Sequence, residues 1–278
     1  MKLYKQLDIG TAKPEMKIRD EIAHHLIDIK EPWESCTVAE FLRRAEAVID
    51  VSANTGRALI AEGGTALYLK ALCEGLFEGP GCNPEIRKQF EEEAAQIGVP
   101  ALHARLLSID PKAGARILVN DIRRIVRALE VHALTGFPIS HFQSQWGVAR
   151  ADLDVRMVCL RLPREVLYKR IDSRIGAMIE SGWVDECRTL LDLPQPLSRE
   201  ASQALGYRTL FAYIKGEMSL AAAMERICFD THHFARKQIG WYKRLPGIVF
   251  VDIDPDEPAE RIAKRVLEIW THWRGDNE

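Results

Sequence analysis

The sequence lacks the features that place a protein in a membrane or outside the cell. None of its 278 residues belongs to an uncharged run near the roughly 20 apolar residues that a membrane span requires, and the residues Met1 to Lys5 do not open an apolar signal sequence. The six cysteines are scattered without a C-x-x-C pair, which disfavours a zinc site and a disulfide framework and favours reduced thiols. We therefore expect a cytoplasmic protein with no membrane partner and no metal held by the chain.

Net charge is also nearly absent, since 38 Lys and Arg residues face 40 Asp and Glu residues. This balance excludes a uniformly basic protein, yet the charges are segregated along the chain. Residues 101–140 hold six basic and three acidic residues, residues 226–245 hold five and one, and residues 251–278 hold four and eight. Because attraction to phosphates acts over a Debye length of about 8–10 Å, the two basic segments are suited to a polyanion. Helix faces exposed to water are the alternative interpretation.

Hydrophobic periodicity predicts helices and strands in alternation. Thr37 and Glu40 have the spacing of a capping box at the start of a helix that runs to about Asn54. The apolar run from Arg57 to Ala61 predicts a buried parallel strand, followed by a Gly-Gly-Thr turn and another helix. Later segments continue the pattern: a β-rich run at 153–162, a helix led by Pro163, and a late strand at 248–251. The order indicates an α/β fold with a doubly wound parallel sheet.

A stretch without strand character interrupts this alternation. Residues 80–151 show helical spacing between two boundaries rich in Pro and Gly, which predicts a helical insertion. The α/β core is then formed by residues 1–79 and 152–278. The length of the chain suits two such domains.

Two groups of residues could bind an anion in the core. Gly63, Gly64 and Thr65 stand between the predicted strand and its helix, where glycines let the backbone approach a phosphate and free helix N–H groups face it. Arg170 and Arg174 are four residues apart on the Pro163-led helix and could clamp a diphosphate. The alternatives are an ordinary tight turn and a solvated helix face.

The insertion contains an arginine-rich helix that begins at a cap on Asn120 or Asp121. Ile122, Val126 and Leu129 predict its buried stripe. Three arginines share the remaining surface, which suits backbone phosphates: Arg123, Arg124 and Arg127. Alternatively, Asp121 and Glu130 neutralise these arginines in surface ion pairs worth little.

A second basic segment, residues 236–243, alternates basic and aromatic side chains. This composition suits phosphate contacts combined with base stacking, although Trp241 could equally belong to the core. His24 and His25 do not predict a metal site, because adjacent side chains point to different sides and no third ligand follows at helical spacing.

Six segments in a fixed order carry a family resemblance: Asp8-Ile9-Gly10-Thr11-Ala12-Lys13-Pro14, His24-His25-Leu26-Ile27-Asp28, Gly63-Gly64-Thr65-Ala66-Leu67-Tyr68, residues 120–130, Leu205-Gly206-Tyr207-Arg208 and residues 236–243. Together they resemble the bacterial tRNA dimethylallyltransferase family over nearly the whole chain. The resemblance implies a P-loop-kinase-like core with a helical insertion. It also implies transfer of a dimethylallyl group from dimethylallyl diphosphate to the exocyclic amine of the adenosine beside the anticodon, with Mg²⁺ assisting and the tRNA anticodon stem-loop bound by a monomer.

The resemblance also assigns roles to residues. By the resemblance, Thr65 would lie at the reacting centre as a catalytic residue. The residues expected around the diphosphate are the anion-binding candidates already given from their spacing: Gly63, Gly64, Arg170 and Arg174. The residues matched to tRNA contacts are Arg87, Arg123, Arg124, Arg127, Gly206, Tyr207, Arg208, Arg236, Lys237, Gln238, Trp241 and Lys243.

The same resemblance predicts an absence at the start of the chain. Family members begin with a strand, a Gly-x-Thr-x-x-Gly-Lys-Thr phosphate loop, a helix, and a strand ending in Asp-Ser, whose Asp is the proposed general base. Here Met1 stands where Asp-Ser ends, so we expect the phosphate loop and the general base upstream of Met1 and a sheet incomplete at its N-terminus. Such a core is expected to be poorly stable, because its strand edges and apolar faces lose partners.

Three hypotheses follow for the function. The chain is an incomplete form of a normal tRNA dimethylallyltransferase, or it is a catalytically inactive fragment that binds tRNA through its basic segments. In the third hypothesis, it is a relative that transfers a prenyl group to free adenine nucleotides. The insertion and its arginine-rich helix favour a polynucleotide over a free nucleotide.

Overall fold

The structure is a computed structural model that describes residues 1–76, 79–143, 150 and 152–275. The chain forms two compact units, one from Met1–Leu72 together with Asp154–Glu278 and one from Cys73–Leu153. Residue 151, where the predicted insertion ends, lies outside the described residues. The assignment of a transferase core and a tRNA-binding insertion stays a prediction.

The described elements alternate unevenly, with helices far outnumbering strands. In chain order they are α1 (Met16–Glu21), α2 (Val38–Asn54), α3 (Ala66–Glu74), α4 (Pro84–Ile97), α5 (Val99–Ile109), α6 (Pro111–Arg116), α7 (Ile122–Thr135), α8 (Ile139–Gln143), β1 (Met157–Arg161), α9 (Arg164–Glu180), α10 (Trp183–Leu191), α11 (Arg199–Ser202), α12 (Tyr207–Ile214), α13 (Leu220–Tyr242), β2 (Ile248–Asp252) and α14 (Ala259–Gly275).

The sheet of the first unit is small and parallel. Strands β1 and β2 pair in register from Met157 with Ile248 to Arg161 with Asp252, and α9 to α13 form the crossover between them. Parallel strands joined through helices confirm the predicted α/β fold. In the described part of the chain, the sheet has two strands.

The strand predicted at residues 57–61 does not form. This segment has no regular structure, and Leu59 and Ile60 are 46% and 89% exposed. A strand buried in a parallel sheet is stable only between neighbours that complete its hydrogen bonds. Among the described residues, β1 and β2 pair with each other and no strand lies beside this run. The prediction was wrong because an apolar run alone does not supply those neighbours.

The capping box predicted at the start of α2 forms in part. The Thr37 hydroxyl accepts a hydrogen bond from the Glu40 amide at 3.1 Å, as the capping box predicts. The Glu40 carboxylate instead pairs with Lys30 at 3.0 Å and with Arg44 at 3.0 Å. Helix α2 is therefore capped by one half of the predicted motif and tied by the other to the preceding loop.

Trp183 lies at the centre of the core of the first unit, with 2% of its surface exposed. Its indole packs edge-on against the Tyr207 ring, with 5.5 Å between the ring centroids. Gly10 and Gly206 both abut the indole, since a Cβ atom would lie 2.1 Å from Nε1 at Gly10 and 2.2 Å from Cη2 at Gly206. The core therefore requires glycine at both positions.

The turn beside Trp183 is held by the carboxylate of Glu186. Its Oε2 atom accepts hydrogen bonds from the amides of Asp8 at 2.9 Å and Ile9 at 2.7 Å, and its Oε1 accepts one from the Tyr207 hydroxyl at 2.6 Å. Burial and the hydrogen bond to Glu186 raise the pKa of Tyr207 above its ordinary range. This phenol stays a donor, and the turn is fixed to α10 and α12.

The irregular segment before α2 is fixed by a second charged side chain. The ammonium of Lys13, whose side chain is 4% exposed, donates to the Tyr4 carbonyl at 2.6 Å and to the carboxylates of Asp8 and Asp28 at 2.5 Å each. Arg19 also donates to Asp28 at 2.8 Å. Burial opposes ionisation of Asp28, but these two hydrogen bonds outweigh it and hold its pKa below the usual range. Three acceptors satisfy the three protons of the buried ammonium.

The second unit has a separate helical core. Its centre is formed by side chains that are at most 1% exposed: Leu102, Leu106, Ile125, Leu129 and Val131. The buried carboxylate of Asp110 caps α6 by accepting from the Ala113 amide at 2.9 Å and also accepts from the Ser140 amide at 2.9 Å. Asp121 caps α7 by accepting from the Arg124 amide at 3.2 Å, which confirms one of the two predicted caps.

Over the described residues, every helix is too short or too polar to cross a lipid bilayer.

The contact between Gly206 and Trp183 gives a test of the core of the first unit. Gly206 has φ +85°, and Gly216 has a similar φ of +78° with open space around it. We expect Gly216→Ala to cost about 1 kcal/mol from backbone strain alone. Gly206→Ala should cost about 2–4 kcal/mol, because the new methyl group also meets the indole. Urea unfolding of both variants measures the difference, and equal losses would show that the indole moves aside.

Candidate functional site

The Gly63–Thr65 turn lies against helix α13. The Gly64 carbonyl accepts a hydrogen bond from Gln238 Nε2 at 2.8 Å, and a Cβ atom on Gly64 would lie 2.1 Å from the same nitrogen. The Thr65 carbonyl accepts from the amides of Tyr68 at 2.9 Å and Leu69 at 3.1 Å and so starts α3. The Thr65 side chain is exposed. The turn therefore offers a free hydroxyl and a glycine-lined approach beside a helix start.

Helix α3 is anchored by an aromatic stack. The rings of Phe41 and Tyr68 lie 3.9 Å apart and nearly parallel. Burial raises the pKa of Tyr68 above its ordinary range. This stack fixes α3 on α2 and thereby fixes the turn that precedes it.

The two arginines predicted to clamp a diphosphate lie on the exposed side of α9. Arg170 donates to the Pro255 carbonyl in the loop after β2, and Arg174 is exposed. Among the described residues, no hydrogen bond joins either guanidinium to the Gly63–Gly64 turn. Their role at the diphosphate stays a prediction.

A cavity of about 440 Å³ opens at the carboxyl ends of β1 and β2. Arg161 donates to both oxygens of Asp252 at 2.5 and 2.7 Å, and the Arg164 guanidinium lies 5.1 Å from the centre of the Tyr168 ring. Arg236 reaches the same cavity from α13 and contacts His233 Nδ1 at 2.9 Å. The carboxyl ends of parallel strands are a common place for ligands in open α/β sheets.

The basic face of α13 is open to solvent. Lys237 and Lys243 are exposed, and Trp241 is 38% exposed, while Ile227 and Ala235 of the same helix are buried. Of the two interpretations of Trp241, its exposure favours an accessible aromatic surface over a core residue. Gln238 differs from its neighbours, because its amide is bound to the Gly64 carbonyl.

The Gly206–Arg208 segment divides between the core and the surface. Tyr207 is 1% exposed, and its hydroxyl is bound to Glu186. Gly206 is pressed against Trp183. Arg208 is exposed at the start of α12. Of these three residues, only Arg208 is exposed to solvent.

Helix α7 presents its first two arginines to solvent. Arg123 is exposed, and the Arg124 side chain is 73% exposed with its Nε 3.4 Å from Asp121 Oδ2. An exposed pair at this distance contributes little to stability, as predicted for Asp121. Both guanidinium groups are therefore available to phosphates.

Glu130 neutralises Arg127, as the alternative interpretation held, but it is fully buried, so this pair does not lie at the surface as that interpretation expected. Arg87 Nε donates to its Oε1 at 2.9 Å, Arg87 Nη2 donates to its Oε2 at 3.0 Å, and Arg127 Nη1 donates to Oε2 at 2.7 Å. The Asn83 amide also donates to Oε1 at 2.7 Å. Glu130 follows Val126 by four residues, so it continues the buried stripe of α7. That spacing was the signal available in the sequence.

The surroundings of Glu130 keep its carboxylate ionised. Burial alone would raise its pKa, but the hydrogen bonds from Arg87, Arg127 and the Asn83 amide outweigh burial and hold the pKa below the usual range. A buried carboxylate with these donors is satisfied electrostatically and by hydrogen bonds.

The described residues contain no group of three His, Cys, Asp or Glu side chains that could hold a metal ion. His24, one of the adjacent histidines, contacts the Ile22 carbonyl at 2.7 Å. The described residues therefore do not fit a Mg²⁺ ion held by this chain alone.

The lowered pKa of Glu130 predicts how stability depends on pH. Its contribution is complete above the ordinary Glu pKa of about 4.3 and is lost as the pH falls through the lower pKa of the folded state. We expect Glu130→Gln to lower the free energy of unfolding by about 1–3 kcal/mol at pH 7, with a smaller difference at pH 3.5. Urea unfolding at several pH values measures it.

The exposed Glu92 on the preceding helix α4 provides a matched control. Glu92→Gln should leave the stability nearly unchanged at every pH. A Glu130→Gln deficit that grows on acidification would contradict the ionised state assigned to Glu130.

Comparison with known proteins places these features in one family. A model of the family described as IPP transferase matches residues 2–245. A tRNA dimethylallyltransferase of Syntrophobacter fumaroxidans is 42% identical over 252 residues, which are 91% of this chain and 74% of that protein. One of Geobacter metallireducens is 39% identical over 252 residues, covering 91% of this chain and 82% of that protein.

Solved structures show the same fold. The tRNA isopentenylpyrophosphate transferase of Bacillus halodurans is 33% identical, with a TM-score of 0.67 over 99% of this chain and 84% of that one. A eukaryotic dimethylallyltransferase acting on tRNA has a TM-score of 0.82 at 22% identity over 99% of this chain and 71% of that one. The second likeness concerns the fold alone.

Proposed function

Because the chain belongs to the IPP transferase family, we propose that it modifies tRNA by transferring a dimethylallyl group from dimethylallyl diphosphate. The acceptor in this proposal is the exocyclic amine of the adenosine beside the anticodon. The family resemblance predicted from the sequence is confirmed by the family match and by relatives named tRNA dimethylallyltransferase.

The observation that carries the proposal is the bond between Gln238 and Gly64. At 2.8 Å, it ties the turn bearing Thr65 to the helix that bears Lys237 and Trp241 and is followed directly by Lys243. A free hydroxyl beside a helix start thus lies next to a basic and aromatic surface. The first suits a reacting centre with a phosphate leaving group, and the second suits a nucleic acid.

The proposed reaction is a displacement at carbon. The amine nitrogen attacks C1 of the dimethylallyl group, the C1–O bond breaks, and diphosphate leaves with the bonding electrons while the amine gives up a proton to a base. We propose that Thr65 and the Gly63–Gly64 backbone face the oxygens on which charge develops. Mg²⁺ would reach the site with the diphosphate, whose oxygens it prefers as ligands.

Two surfaces would bind the anticodon stem-loop in this proposal. In the second unit, the exposed Arg123 and Arg124 on α7 face solvent. In the first unit, the exposed residues are Lys237 and Trp241 on α13, Lys243 just after it, and Arg208 on α12.

Thr65 gives the direct test of catalysis. We expect Thr65→Ala to slow transfer by about 100–1,000-fold, as loss of one hydrogen-bond donor to developing charge does, while Thr65→Ser retains most of the rate. The assay follows a labelled dimethylallyl group from its diphosphate into a tRNA anticodon arm, with AMP as a second acceptor.

The outcomes separate the hypotheses. Transfer to the arm but not to AMP supports the proposal, and transfer to AMP favours the relative that modifies free nucleotides. Binding of the arm without any transfer by the purified chain would overturn the catalytic proposal in favour of an inactive tRNA-binding fragment.

Arg124 gives the test of phosphate contact. Arg124→Ala should weaken binding of the anticodon arm and reduce the slope of log K against log salt by about 0.7–0.9, the amount expected for one phosphate. Filter binding over a range of salt concentrations measures this slope. Lys88→Ala serves as a control, since Lys88 is an exposed cation on α4 paired only loosely with Glu92 at 3.7 Å. An unchanged slope for Arg124→Ala would make Arg124 an ordinary surface charge.

A further inference from the structure

The lead-in segment, residues 80–83, has no regular structure, yet its backbone is bound at three places. Arg127 donates through Nη2 to the Pro80 carbonyl at 2.7 Å and through Nη1 to the Gly81 carbonyl at 3.2 Å. The Asn83 amide donates to Glu130 at 2.7 Å. All three bonds end on two side chains of α7 that are one turn apart.

We propose that Glu130, Arg87 and Arg127 are positioning residues, which fix the lead-in segment to α7 and make no contact with tRNA phosphates. This inference rests on the proposed function and deepens it. The family resemblance assigns four arginines of the second unit to tRNA binding, and the proposal divides them into two groups with different roles. Arg123 and Arg124 contact phosphate, whereas Arg87 and Arg127 hold the surface that presents them.

Hydrogen-bond capacity supports this division. Both terminal nitrogens of Arg127 are engaged, one with Glu130 and Gly81 and the other with Pro80. Arg87 spends Nε and Nη2 on the two oxygens of Glu130. A phosphate that took these donors would leave a carboxylate uncompensated in the protein interior, which is strongly unfavourable.

Burial separates the same two groups. Arg87 and Arg127 have side chains that are 38% and 29% exposed and meet a carboxylate that is 0% exposed. The Arg124 side chain is 73% exposed and meets only the partly exposed Asp121 at 3.4 Å. Arg127 shares a helical face with Arg123 by spacing, but its guanidinium is turned to the lead-in segment.

The hydrogen bond from the Asn83 amide to Glu130 fixes the start of α4. Asn83 is the N-cap of α4, with its side chain accepting from the amides of Glu85 and Ile86. Glu130 therefore holds the N-cap residue of α4 against α7. Without these bonds, the lead-in segment and the N-cap of α4 would lose their polar attachment to α7, the helix that carries Arg123 and Arg124.

The test compares charge with geometry at residue 127. Anticodon-arm binding is measured against salt for Arg127→Met and Arg127→Lys, because lysine keeps the charge and loses the planar fork. We expect both variants to bind about 3–10-fold more weakly at every salt concentration. The slope of log K against log salt should be the same as for the unchanged chain. In the same series, Arg124→Ala should reduce this slope by the amount expected for about one phosphate contact.

A phosphate contact at Arg127 gives the opposite pattern. The slope would then fall by about one phosphate in Arg127→Met and recover in Arg127→Lys, and that result would overturn the inference. Unchanged affinity in both variants would overturn it as well. Failure of the unchanged chain to bind the arm would instead reject the proposed function, so the two failures are distinguishable.

A second variant guards against simple unfolding. Arg87→Met combined with Glu130→Gln removes both charges of one pair and keeps an acceptor for the Asn83 amide and for Arg127. Hydrogen exchange of peptides that cover residues 79–84 reports the lead-in segment directly. We expect faster exchange in this segment together with weaker binding at an unchanged slope. Weaker binding with a slope lowered by one phosphate, or with unchanged exchange, would contradict the positioning role.

Discussion

A carboxylate withdrawn from water must be surrounded by hydrogen-bond donors, and this constraint organises both units. In the second unit, Glu130 gathers two guanidinium groups and one backbone amide. In the first, Glu186 is withdrawn from water only in part and gathers the amides of Asp8 and Ile9 and the Tyr207 hydroxyl. Each carboxylate lies on a helix and fixes a segment that has no regular structure of its own. Each irregular segment is thereby held in a fixed position on a helix.

Segments with a continuous apolar stripe and a local cap could be predicted from the sequence. The start of α2 at Thr37, the cap of α7 at Asp121 and the late strand β2 were all found in this way. These features depend on residues within a few positions of one another. The run at residues 57–61 was misread because the burial of a strand depends on neighbours that the run itself does not specify.

The contacts that define the candidate site were beyond such reasoning. Glu186 and Ile9 are 177 residues apart in sequence, and Gln238 and Gly64 are 174 apart. No periodicity relates positions at these separations. The expected surface position of Glu130 failed for a different reason. The expectation rested on the charge of Glu130 beside the arginines and did not use its spacing of four residues from Val126, which places it on the buried side of α7. The roles of the site residues stay predictions that rest on family resemblance.

The indole of Trp183 lies against two glycines from distant parts of the chain, Gly10 and Gly206. Neither glycine can gain a side chain while the indole keeps its place, and a smaller side chain at residue 183 would leave a void that both glycines border. Sequence drift at these three positions is therefore coupled. Among relatives, we expect a lost tryptophan to be accompanied by alanine or serine at Gly10, since Gly206 is also held to glycine by its φ of +85°.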